Sequence, residues 1–130
     1  MHVTLEMFRN ETDGETFQPG QRIFAAGEAG DFMFVILEGQ VELRIGENIV
    51  ETLGPGEPVG EMALIDHSPR AATAPAKTLC KLHAIPEKRF LFLVQQTPHF
   101  ALQIMKIMAD RLRRMNARAD AAAAAAATSN

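Results

Sequence analysis

The chain has 130 residues, 47% of them hydrophobic, with a net charge of −3 and one cysteine. That fits one domain with a real core and excludes an intrinsically disordered chain, a disulfide-stapled fold and a globally basic binder of nucleic acid or membrane surface. No apolar run approaches the length of a membrane span, and the start, MHVTLEMFRNE, lacks the basic-then-apolar order of a signal peptide, so the cytoplasm is the expected setting.

In chain order, the first three-quarters read as β. QRIFAA is one apolar run, and FMFVIL (32–37) is a stronger one. GQVELRI (39–45) alternates, which predicts Val41, Leu43 and Ile45 on one face. NIVETL (48–53) follows a turn at Gly46-Glu47-Asn48, and AATAPA and TLCKLHAI give two further strands after Arg70. Short strands punctuated by glycines indicate a sandwich or barrel rather than βαβ units. Cys80 is expected to be a small buried strand residue. The period then changes. PEKRFLFLVQQ (86–96) has helical spacing, and Thr97-Pro98 interrupts it. A long helix follows from Pro98. Ala101, Met105, Met108, Leu112, Met115 and Ala119 form a coiled-coil-like seam, with Ile104 and Ile107 as a second stripe. Such a seam serves either pairing of two chains or packing back onto the same chain. One domain is expected, with β structure over about 14–85, helices over about 86–120 and an alanine-rich tail at 121–130, either helical or frayed with a loose Thr-Ser-Asn end.

The stretch GEPVGEMALIDHSPRAATA (56–74) carries the candidate chemistry. Glu61 to Ile65 can form a turn or two of helix, which Pro69 helps to stop. A helix start presents free N–H groups, Gly60 lets a ligand approach the backbone, and Arg70 offers a planar fork for phosphate oxygens. Glu61 is an acceptor only, suited to a sugar hydroxyl. Ala71 and Ala72 leave their N–H groups uncovered. These features suggest a pocket for a phosphate joined to a sugar. The spacing equally allows Glu61 and Arg70 to pair with each other, with Pro69-Arg70 an ordinary turn into a strand. The four histidines, His2, His67, His83 and His99, show no metal-ligand spacing, and no nucleophile motif is present, so neither a metal nor enzymatic activity is expected.

VGEMALIDHSPRAATA (59–74) closely resembles the phosphate-binding cassette of cyclic nucleotide-binding domains, in particular those of the regulatory subunits of cAMP-dependent protein kinase and of the catabolite activator protein. PGQRIFAAGEAGDFMFVILEGQVEL resembles the family's glycine-punctuated β-roll, and TLCKLHAIPEKRF its return strand and following helix. The resemblance covers roughly residues 17–115 and implies a mainly β fold: an eight-stranded antiparallel β-roll, or jelly roll, followed by two C-terminal helices. It implies that Glu61 accepts the ribose 2′-hydroxyl and that Arg70 pairs with the cyclic phosphate. Backbone N–H groups of Gly60, Met62, Ala63, Ala71 and Ala72 are further candidates, with Met62 an apolar neighbour of the ligand and Leu64 a core residue. Ala71 stands where relatives that favour cGMP often carry Ser or Thr, so cAMP is the expected ligand, with cGMP the other candidate. ADRLRR (109–114) resembles a channel helix that caps the base, making Arg111 the candidate cap; the alternative is an exposed basic face of Lys106, Arg111, Arg113, Arg114 and Arg118. Only MHVTLEMFRNETD precedes the roll and no DNA-binding, kinase or channel segment follows the last helix. A stand-alone sensor with an unidentified effector protein is therefore expected, its C-terminal helix a possible site of homodimer formation. A nucleotide-independent interaction or dimerisation module of the same fold is the alternative. His67 is expected to be exposed.

Overall fold

Eight short extended segments arise where the sequence alternates between apolar runs and glycine turns. The structure, a computed structural model, describes residues 3–128; His2 and the Ser129-Asn130 end lie outside the described residues. The strands are β1 (Glu15–Phe17), β2 (Arg22–Phe24), β3 (Phe32–Glu38), β4 (Val41–Ile45), β5 (Asn48–Leu53), β6 (Pro58–Val59), β7 (Ala74–Pro75) and β8 (Cys80–Pro86). One sheet has the order β1-β8-β3-β6, and every pairing in it is antiparallel. The pairs β2-β7 and β4-β5 face it, tied together by bridges from Val41 to Ala76 and from Arg44 to Thr73. The fold is mainly antiparallel β with C-terminal helices, as a β-roll requires.

Strand β3 is apolar on both sides because both sides are covered. Met33 and Val35 join a cluster with Leu5, Phe8, Phe90, Phe100, Ile104 and Ile107, whereas Ile36 joins Phe17, Val41, Leu53, Val59 and Leu82 inside the roll. Cys80 is buried in the inner cluster. One expectation needs correction. Ile45 does not share the buried face of Val41; it is exposed. The ladder pairs Leu43 with Glu51 but Arg44 with Ile49, so Val50 is an extra residue on β5. A bulge of this kind breaks the alternation and turns the hairpin end outward.

Three α-helices complete the fold: α1 (Met62–Asp66) between β6 and β7, and α2 (Glu87–Gln96) and α3 (Pro98–Thr128) after β8. Thr97 separates α2 from α3 in a non-helical conformation, as a residue before proline favours. The last helix does not stop near residue 120; the strong helix preference of alanine carries it through the run to Thr128. Its apolar side chains divide between two directions. Phe100, Ile104 and Ile107 pack on the roll, while Met105, Leu112 and Met115 of the seam face outward and are exposed. The second stripe therefore makes the contact within the chain, joined from the seam by the partly buried Met108. Near the start, a 3-10 turn at Glu6–Phe8 packs Phe8 edge-on against Phe100. Ile107 is 1% exposed, so Ile107→Val should lower the stability measured in urea by about 0.5–1.5 kcal/mol. An unchanged midpoint would contradict the docking of α3 through this stripe.

Candidate functional site

Residues 60–73 leave β6, form the single helical turn and a half of α1, and return along β7. Gly60 has φ of +83°, a left-handed conformation that disfavours any other residue. A Cβ there would lie 2.5 Å from Arg70 Nη1, so the absence of a side chain also lets the guanidinium in. Glu61 opens α1, Met62 faces solvent, and Ala63 and Leu64 are buried. The helix stops at His67, exposed in the left-handed region with φ of +57°. Asp66 accepts hydrogen bonds from the Ser68 hydroxyl and N–H, which hold its carboxyl below the usual carboxylate range.

The Arg70 guanidinium is buried. Nη1 donates to the Gly60 carbonyl at 2.6 Å and Nη2 to the Phe32 carbonyl at 2.5 Å. Its central carbon lies 4.1 Å above the Phe24 ring, a cation–π arrangement. Burial pushes its pKa down, while the nearby carboxylates of Glu28, Glu61 and Asp31 hold it up. Buried Nε has no hydrogen-bond partner among the described residues. The Arg70 backbone is fixed too: its N–H donates to the Glu28 carbonyl and its carbonyl accepts from the Gly27 N–H. None of the N–H groups of Gly60, Met62, Ala63, Ala71 and Ala72 donates a hydrogen bond to an acceptor among the described residues.

Glu61 and Arg70 do not pair with each other, so the direct ion pair allowed by their spacing is not the arrangement adopted. Glu61 is 3% exposed, and Arg111 of α3 donates to it at 2.5 Å. Arg111 also donates to the Pro58 carbonyl. The long helix thus reaches the cassette through one side chain. Arg111 is not part of an exposed basic face; with Arg114 it points toward the roll, while Arg113 is exposed. Among the described residues, no three His, Cys, Asp or Glu side chains converge as a metal site needs, and no helix is long and apolar enough to cross a membrane.

The model of the cyclic nucleotide-binding domain matches residues 14–97, which span all eight strands, the whole of this cassette and α2. The chain belongs to the cyclic nucleotide-binding domain family. Among relatives, a cAMP-dependent protein kinase regulatory subunit of Eremothecium gossypii is 37% identical over 81 residues, which is 62% of this chain and 18% of that protein. A cyclic AMP receptor protein of Thermus thermophilus is 33% identical over 102 residues, 75% of this chain and 47% of that protein. The solved catabolite activator protein of Thermus thermophilus superposes with a TM-score of 0.74 at 28% identity, covering 91% of this chain and 58% of that one. This cyclic nucleotide-binding domain therefore spans about half or less of the curated relatives it matches. Its cassette was legible from the sequence, but its supports were not. Phe24, Gly30 and Phe32 frame Arg70 from positions at least 38 residues earlier in the chain. Gly30 left a faint signal in GEAGDF, where one glycine serves a turn and the next serves contact.

Proposed function

We propose that the domain binds a cyclic nucleotide in the cassette, with cAMP preferred to cGMP, and is regulatory rather than enzymatic. The set of free N–H groups at Gly60, Met62, Ala63, Ala71 and Ala72 beside a buried arginine carries this reading. An anion surrounded by backbone donors and one desolvated guanidinium is held by charge-assisted hydrogen bonds, which are the strong ones. Arg70 takes the cyclic phosphate through Nε and by sharing its terminal nitrogens. Glu61 accepts the ribose hydroxyl. Ala71 offers no side-chain hydroxyl to guanine, which favours adenine. Ligand binding at Glu61 is felt by Arg111, so occupancy shifts the position of α3, and an effector protein detects that helix. A cytoplasmic setting accords with the single, buried cysteine.

Calorimetric titration with cAMP and cGMP tests the reading. Saturable heat is expected with both, and tighter binding with cAMP. No heat with either nucleotide at millimolar concentration defeats it. A second reading, self-association through α3, is favoured by the exposed Met105, Leu112 and Met115 on one side of that helix. Sedimentation with and without nucleotide decides it. A monomer under both conditions removes the pairing, whereas a dimer that Leu112→Glu dissolves supports it.

A further inference from the structure

The outer face of the roll carries a cleft built from three neighbouring strands. Ala74 and Ala76 point inward and are buried, so Pro75 between them faces out. Arg22 of β2 pairs with Pro75 on one side. On the other side, the bridges from Val41 to Ala76 and from Arg44 to Thr73 put Glu42 of β4 opposite Pro75. Arg22, Pro75 and Glu42 therefore lie in a row, about 10 Å from end to end at the backbone. The middle strand stays low, because Thr73 and Pro75 are short, while long side chains stand on both flanks. Lys77 also lines the cleft, whose volume is about 460 Å³.

The side chains of this cleft offer donors far more than acceptors. Glu42 is buried, and Arg44 donates to its Oε1 through Nε at 3.2 Å and Nη2 at 2.7 Å. That pairing fixes the guanidinium and leaves Nη1 with no partner among the described residues. Arg22 and Lys77 are exposed and form no ion pair among the described residues. The Thr73 hydroxyl accepts from the Ala26 N–H, so its own proton is left to donate. Three cations against one carboxylate leave a surplus of two positive charges. The whole chain carries −3, so the cleft runs against the general charge of the surface.

We propose that this outer cleft binds a phosphate monoester, held by Arg22, Arg44, Lys77 and the Thr73 hydroxyl. Such a group carries about −1.5 to −2 charges at neutral pH and three strong acceptor oxygens. Both properties match the cleft. The surplus charge is equal and opposite, and four separate side chains supply donors to three oxygens. Arginine forks suit phosphate oxygens, and a lysine adds a point charge. A carboxylate brings one charge and leaves half of the surplus unmatched. A phosphorylated side chain on a partner protein and a phosphorylated small metabolite share this chemistry. The site needs neither Glu61, Arg70 nor the free N–H groups of the cassette, so it stands whether or not the cassette takes a nucleotide.

The test follows amide NMR signals of the isotope-labelled full chain. The probes are glycerol phosphate, a capped phosphoserine peptide flanked by glycines, and the same peptide without phosphate. Both phosphorylated probes are expected to shift Gly20, Gly46 and Lys77 with half-saturation below about 1 mM, and the unphosphorylated peptide to leave them in place. The shifts should persist in saturating cAMP and in Arg70→Ala, which separates this site from the cassette. Equal affinity for the two phosphorylated probes assigns the cleft to small metabolites. A peptide bound on the order of tenfold more tightly assigns it to a phosphorylated partner. Arg22→Gln combined with Lys77→Gln is expected to weaken both on the order of tenfold or more, with the cAMP titration and the melting temperature unchanged. No saturation by about 10 mM overturns the proposal. So does an equal response to the unphosphorylated peptide, or binding that Arg70→Ala abolishes and the double variant leaves intact.

Discussion

Arg70→Ala is expected to weaken cyclic nucleotide binding by about 2–5 kcal/mol, roughly thirtyfold to several thousandfold. The size follows from where the guanidinium sits. It is buried and its pKa is depressed by desolvation, so the fold holds a cation in poor solvent with Nε lacking a partner. An anion that reaches it gains a desolvated, charge-assisted contact. The same side chain links the carbonyls of Gly60 and Phe32, and so joins the cassette to the start of β3. Its loss leaves both oxygens without that donor, and the melting temperature of the unliganded protein should fall as well. Lysine at this position keeps the charge but not the fork, so Arg70→Lys should recover only a small part of the affinity. Calorimetry on the two variants checks this. Affinity within threefold of wild type for Arg70→Ala would falsify the assignment of Arg70 to the phosphate.

Gly30→Ala is expected to reduce nucleotide affinity by at least about tenfold and to destabilise the fold by about 1–3 kcal/mol, although only one methyl group is added. The added Cβ would lie 2.4 Å from Ala63 Cβ and 2.8 Å from Arg70 Cζ. Gly30 does not have a positive φ, so the penalty comes from collision rather than from backbone strain. Relief requires α1 to lift or the guanidinium to swing off Phe24, and each of these moves disturbs the phosphate side of the cassette. Gly54→Ala is the control: it also lacks a positive φ, and a Cβ there meets nothing within 4 Å. Thermal melts and titrations of the pair should show loss for Gly30→Ala and near-neutrality for Gly54→Ala. Equal behaviour would mean that the packing around Arg70 is softer than these distances imply.

What the sequence revealed depended on how local the cause was. The end of α1 was legible because Pro69 and the short polar stretch before it act on neighbouring backbone. The burial of Leu64 was expected, whereas Met62, expected only as an apolar neighbour of the ligand, is exposed. β1 and β6, three and two residues long, were too short to show alternation and entered only through the family resemblance. The partner of Glu61 was hidden for a different reason. Arg111 lies 50 residues away, and no local pattern separates it from Arg113, which is exposed. Ile45 was misassigned because alternation assumes an unbroken ladder, and Val50 breaks it. The packing of Leu5 and Phe8 against Phe90 and Phe100 was also invisible, since MHVTLEMFRNE is too short to show a period.

The last arginine that ties α3 to the roll is Arg118, and the helix continues to Thr128. Ten further residues add about 15 Å of rod built mostly from alanine, and the whole of α3 is about 46 Å long. A stiff rod pivoting near Thr97 works as a lever arm. A tilt of about 10° would barely move Phe100, yet it would carry the far end by roughly 8 Å. In the same tilt the helix at Arg111, about 21 Å from Thr97, moves roughly 4 Å, so the far end about doubles the displacement made beside the carboxylate that Arg111 holds. The alanines carry no chemistry of their own; their contribution is mechanical advantage.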